Sequence, residues 1–87
     1  MSEFLVESPH TKSECMQVLD ETLAKGSNVL SKFQWGCASG DHRAWAFIKA
    51  NSPSQARSVV PSSVRGKARI TKVSKFSRKQ IESMHNM

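Results

Sequence analysis

The stretch His42 to Ala50, HRAWAFIKA, alternates strictly, and it constrains the fold of this chain more than any other. Ala44, Ala46, Ile48 and Ala50 fall on one side and Arg43, Trp45, Phe47 and Lys49 on the other, the period of a half-covered strand. Before it, Val29–Cys37 also reads with period two, Phe33, Trp35 and Cys37 alternating against Lys32, Gln34 and Gly36. The residues between, ASGD, supply turn chemistry. The expectation is a hairpin, which is marginal alone and needs further strands or a helix against one face.

The flanking segments supply both. Glu3–Ser8 reads as a first strand stopped by Pro9. A helix then runs from a capping box of Thr11 and Glu14 to Gly26, with Cys15, Val18, Leu19, Thr22 and Leu23 on its apolar stripe. After the hairpin, Ser52, Pro53 and Gln55 open a second helix that Pro61 ends or kinks. Ala68–Phe76 reads as a last strand, and Ser77 with Gln80 caps a short C-terminal helix ending near His85. The order is βαββαβ plus a tail. Right-handed connections around a central hairpin then give the ferredoxin-like class: α+β, a four-stranded antiparallel sheet, strands one and three central, two helices on one face. Phe4, Val6, Phe33, Trp35 and the alanines are expected under the helices, with Leu5, Glu7, Trp45 and Phe47 on the open face.

Eighty-seven residues make one domain, with a core spanning about residues 3–76 and a tail over 77–87. A chain this short has little apolar surface to spare, so association would help it. The longest apolar run is Ala44–Ile48, and the N-terminal MSEFLVES lacks the pattern of a secretory signal, so neither a membrane span nor export is expected. Two cysteines cannot form a disulfide framework. Free thiols in a cytoplasmic protein are the expectation. The formal charge of +6 favours anionic partners, yet Lys and Arg form no block of a basic tail.

Trp45 and Phe47 side by side on an open face make an apolar patch that needs an explanation. Burial against a second copy is the favoured one, since it adds apolar contact at about 25 cal/mol per Å² without further chemistry. The stretch RAWAFIKA also resembles the third-strand motif of RNA-recognition domains, which implies base stacking on Trp45 and Phe47. That alternative ranks lower: Ala50 stands where the final aromatic is usual, and Glu7 on the same face repels phosphate. Over most of the chain, FLVESPHT, KFQWGC, SGDH, ANSPSQA and KFSRKQI resemble small ferredoxin-like proteins of the dimeric α+β barrel type, the muconolactone-isomerase-like group. The resemblance implies a homodimer with a pocket beside the sheet for a small anionic or aromatic ligand. It carries no catalytic motif, and fold alone fixes no activity.

Topology makes a separate prediction. The end of strand one, the start of helix one and the hairpin turn share one edge of the sheet, so His10, Cys15, Cys37, Asp41 and His42 should converge there. His10, Cys37 and His42 are the candidate ligands of zinc, nickel or copper. Cys15, on the helix stripe, reads as a small core residue, and Asp41 as turn chemistry. Arg43 or Arg65, entering the same edge near the start of helix one, could meet an anionic group of a ligand. His85 belongs to the opposite edge.

Overall fold

The computed structural model describes residues 1–85 and is an α+β arrangement around one antiparallel sheet. Its strands are β1 (Ser2–Pro9), β2 (Gln34–Trp35), β3 (Arg43–Ala50) and β4 (Arg69–Val73), in the order β2-β3-β1-β4. Strands one and three are central, as expected. Opposite Phe4, Val6 and Ser8 stand Ile48, Ala46 and Ala44, and all six are buried. The helices are α1 (Cys15–Ala24), α2 (Ser27–Leu30), α3 (Pro53–Arg57) and α4 (Arg78–His85).

The helical side of the sheet closes on small residues. Val18 of α1 and Ala56 of α3 share one core with Phe4, Val6, Phe33, Ala44, Ala46, Ile48 and Ala50. Val60, Val64 and Ala68 complete it beneath the connection to β4. Alanines on the central strand let the helices approach closely, so β-branched and aromatic side chains can fill the remaining gaps. Leu23, counted on the apolar stripe of its helix, is instead exposed.

The caps read from sequence form, two of them as pairs of reciprocal bonds. The Glu14 N–H donates to Thr11 Oγ1 at 3.2 Å, and the Thr11 N–H to Glu14 Oε1 at 2.8 Å. Gln80 and Ser77 repeat the arrangement at α4; at α3 the Gln55 N–H donates to Ser52 Oγ at 3.1 Å, while Gln55 Oε1 accepts from the Asn51 N–H, one residue before the cap. Thr11 caps a 3-10 turn, Lys12–Glu14, that runs directly into α1. His10 and Cys15 are thereby held at the same end of the sheet.

The second strand differs most from expectation. Val29–Cys37 is not one strand: α2 takes up its beginning, and only Gln34–Trp35 pairs with β3. Backbone bonds from Leu30 to Gly26 and from Phe33 to Leu30 hold this segment in turns. Val29 and Leu30 are both half-buried, a neighbouring pair that suits a helical turn and not an alternating strand. The last strand also ends earlier, at Val73, and residues 74–77 beyond it are exposed. Every described residue of α4 is exposed; residues 86–87 of the expected tail lie outside the described residues. Among the described residues no helix is long and apolar enough to cross a membrane.

Candidate metal centre

Four donors meet at the end of the central strands. His10 follows β1, Cys15 opens α1, Cys37 begins a 3-10 turn after β2, and His42 precedes β3. One ligand atom from each lies within 4.8 Å of all the others. The Cys15 thiol donates to Cys37 Sγ at 3.0 Å, and His10 Nε2 lies 3.2 Å from the same sulfur. The His10 and His42 rings stand edge to face, centroids 5.9 Å apart.

The backbone explains the convergence. The His10 N–H donates to the His42 carbonyl at 3.0 Å, carrying the β1 and β3 ladder one pair beyond the strands. The loop from Gly36 to Asp41 then folds over this pair. Gly40 adopts φ 84°, a conformation that favours glycine. A Cβ on Gly36 would stand 2.6 Å from the Asp41 carbonyl oxygen and 3.0 Å from the Trp45 ring. Glycine is therefore required there for the loop to bring Cys37 and His42 together.

Burial shapes the chemistry of these groups. His10 is 6% exposed, and desolvation is the main cause holding its pKa below the ordinary 6.5. The His42 ring and the Lys67 ammonium push it the same way, while the Ser8 backbone and Glu14 oppose them. The Cys37 thiol is pushed up to about 11, first by burial and then by the Cys15 thiol. A transition-metal cation reverses that balance, because sulfur coordinates as thiolate. Nδ1 of His10 and of His42 are buried and, among the described residues, meet no hydrogen-bond partner in bonding geometry. Such an orphaned group costs about 1–3 kcal/mol. Among the described residues, the His42 Nδ1 thus lacks a partner, and the His10 Nδ1 has at most the Ser8 backbone outside bonding geometry.

The sequence-read residues separate into three places. His10, Cys37 and His42 come together as the candidate ligands, and Cys15 joins them as a fourth. Asp41 turns outward: its carboxylate accepts from Arg43, which lowers the pKa of Asp41 and raises that of Arg43. Arg65 is spent on the connection after α3, donating to the Val60 carbonyl at 2.9 Å and the Ser58 carbonyl at 3.5 Å. The cation beside the cluster is Lys67, 2.9 Å from Glu14. Glu14 also takes the Thr11 N–H, so the start of the first helical segment already carries an anion from its own chain. Topology places Cys15 at this edge, but its position on the helix stripe reads as core packing; the Thr11 and Glu14 cap fixes its place at the start of α1.

The open face has a different character. Leu5, Glu7, Trp45 and Phe47 lie on it, with Glu7 opposite Trp45 and Leu5 opposite Phe47. The Trp45 indole N–H donates to Glu7 Oε1 at 3.2 Å, and the Arg43 guanidinium lies 5.1 Å from the ring centroid. Arg43 reaches Glu7 as well, at 3.4 Å. Phe47 has no such cover and is 64% exposed. It stands between a groove of about 280 Å³ lined by Lys32, Gln34 and Trp45 and another of about 370 Å³ lined by Glu3, Val73 and Lys75.

Comparison with protein-family models, with curated proteins and with solved structures found no match for this chain.

Proposed function

We propose that this chain is a small ferredoxin-like metal-binding protein whose centre of two cysteines and two histidines holds a tetrahedral transition-metal ion, zinc before nickel or copper. The observation that carries the reading is the set of four donors within 4.8 Å of one another. Zinc–sulfur bonds of about 2.3 Å and zinc–nitrogen bonds of about 2.0–2.1 Å imply donor separations of roughly 3.3–3.8 Å in a tetrahedron. The closest sulfurs are 3.0 Å apart and the widest pair up to 4.8 Å, so the separations need to change by roughly 1.5 Å at most. Mixed thiolate and imidazole donors select against calcium and magnesium, which take oxygen.

Four protein donors leave no open coordination position, the pattern of an ion that shapes the fold and not one that activates water. The ion ties the end of β1 to the start of α1 and to both sides of the hairpin loop. The ferredoxin-like assignment is supported by the central placing of β1 and β3 and by Val18 and Ala56 meeting one sheet face. Membership in the dimeric α+β barrel group belongs to the same proposal. So does a cytoplasmic homodimer that covers Phe47, Trp45 and Leu5. Free cysteines suit a reducing compartment.

Cobalt(II) titration of tag-free, metal-free protein tests the site. A tetrahedral visible spectrum with sulfur charge-transfer bands, saturating at one ion per chain and displaced by zinc, is expected. An octahedral, weakly coloured solution throughout the titration would remove the proposal.

A further inference from the structure

We infer that Cys15 and Cys37 are also an oxidation site: a hydroperoxide joins them as a disulfide, and that bond and the metal ion exclude each other. The exclusion rests on the metal reading above; the disulfide does not. The two sulfurs lie 3.0 Å apart across 22 positions of sequence, one at the start of α1 and one in the hairpin loop. A disulfide requires about 2.05 Å. Two thiolates on one zinc ion require roughly 3.8 Å, from bonds of about 2.3 Å at the tetrahedral angle. The observed separation lies between the two, so a movement of an ångström or less in either direction selects the state.

Both cysteines are partly exposed, so a small oxidant reaches them. One thiolate attacks a peroxide oxygen, the O–O bond breaks, and a sulfenic acid and one water form. The second sulfur then attacks the sulfenic sulfur and displaces hydroxide, which leaves as a second water with the proton of that thiol. Two electrons pass from the sulfurs to hydrogen peroxide, and two thiols plus one peroxide give one disulfide plus two waters. In the loaded protein the two metal–sulfur bonds break and the ion departs, since a disulfide lacks the thiolate charge that held it. His10 and His42 alone do not retain it. Oxidation thus exchanges an ionic tie between α1 and the hairpin loop for a covalent one.

The test treats reduced, tag-free, full-length protein with one equivalent of hydrogen peroxide, metal-free in one arm and zinc-loaded in the other. Peptide mapping is the readout for the link, because Met1, Met16 and Met84 are exposed and themselves gain oxygen. In the metal-free arm a peptide pair joined through Cys15 and Cys37 and reversed by dithiothreitol is expected. Links only between chains, or sulfinic acid at either cysteine without the internal link, would overturn the inference. In the loaded arm a chromogenic chelator should register zinc release in step with the link. Zinc that stays bound after the link has formed would overturn the exclusion. A chain that forms the link but never binds zinc would remove the metal reading and leave the disulfide standing. Cys15→Ser, checked for folding by circular dichroism, should prevent the link and keep Cys37 alkylatable after oxidation.

Discussion

The histidine and cysteine edge and the open sheet face are built on the same two strands, and each lacks a different kind of partner. At the edge, polar atoms are buried with no partner in bonding geometry among the described residues, the Nδ1 atoms of His10 and His42, beside two thiols that meet each other and an imidazole. On the face, Glu7, Arg43, Asp41 and Trp45 satisfy one another, while among the described residues the apolar ring of Phe47 stands largely exposed. A site short of charge takes an ion, and a site short of apolar cover takes a surface. The end of β3 and its open face thus lack different kinds of partner, and the proposed ion and the proposed second copy can be tested separately.

The largest effect expected on binding is at the edge. At 100-fold excess over its dissociation constant, zinc adds about 2.7 kcal/mol to stability, which raises the Tm of a domain this size by roughly 10–20 °C. Cys37→Ser should weaken zinc binding by more than about 100-fold, since even residues that merely support ligands cost 10- to 100-fold. Thermal melts with and without zinc check both. An equal zinc-dependent rise in the variant would break the contrast.

Next come two phenylalanines on opposite faces. Phe4, 3% exposed beneath the helices, should cost about 3–5 kcal/mol when changed to alanine. Phe47→Ser should change the stability of the monomer by less than about 0.5 kcal/mol, while shifting light-scattering mass from dimer to monomer. Urea titrations of both variants at low protein concentration measure the difference. A Phe47→Ser protein that keeps the parent mass at every concentration would show that something else covers the face, and RNA binding, read as loss of oligonucleotide retention in this variant, would then be the occupant to test.

Gly36→Ala joins the two regions, because its new methyl group meets both the Asp41 carbonyl and the Trp45 ring. It should destabilise the fold by about 1–3 kcal/mol and loosen zinc binding by at least tenfold as the loop moves. Unchanged zinc affinity would show that the loop tolerates the shift.

The smallest effect is in pH. The Thr11 N–H and Lys67 hold Glu14 at a pKa of about 2, against an ordinary 4.5. Its folded pKa is depressed, so its contribution is present above pH 4.5 and is lost as pH falls through 2. Glu14→Gln should therefore be less stable than the parent at pH 7, and the gap between them should narrow on acidification. A gap independent of pH would assign the loss to the cap alone.

Much of this was legible in the chain. Strict alternation over Arg43–Ala50 placed the central strand, and the Thr11, Ser52 and Ser77 caps formed as read, because caps are local bonds between near neighbours. The Val29–Cys37 segment was not legible. A few residues of apparent alternation fit a turn and a short strand equally well, and contact with the core decided between them. At the site, Cys15 read as a core residue because its position on the helix stripe is the same whether it packs or coordinates. Arg65 read as a ligand contact because strand entry placed it near the edge, while the carbonyls of Val60 and Ser58 claimed its guanidinium. Position along a strand predicts which end a residue occupies; which partner it takes there depends on contacts that sequence order does not encode.

The most direct test of the central claim is native mass spectrometry of tag-free protein purified without chelator, with elemental analysis of the same sample. One transition-metal ion per chain in the parent, absent from the Cys37→Ser and His42→Ala variants that still fold, is the expected result. A parent chain at its metal-free mass that stays there after zinc is added and excess removed would contradict the account.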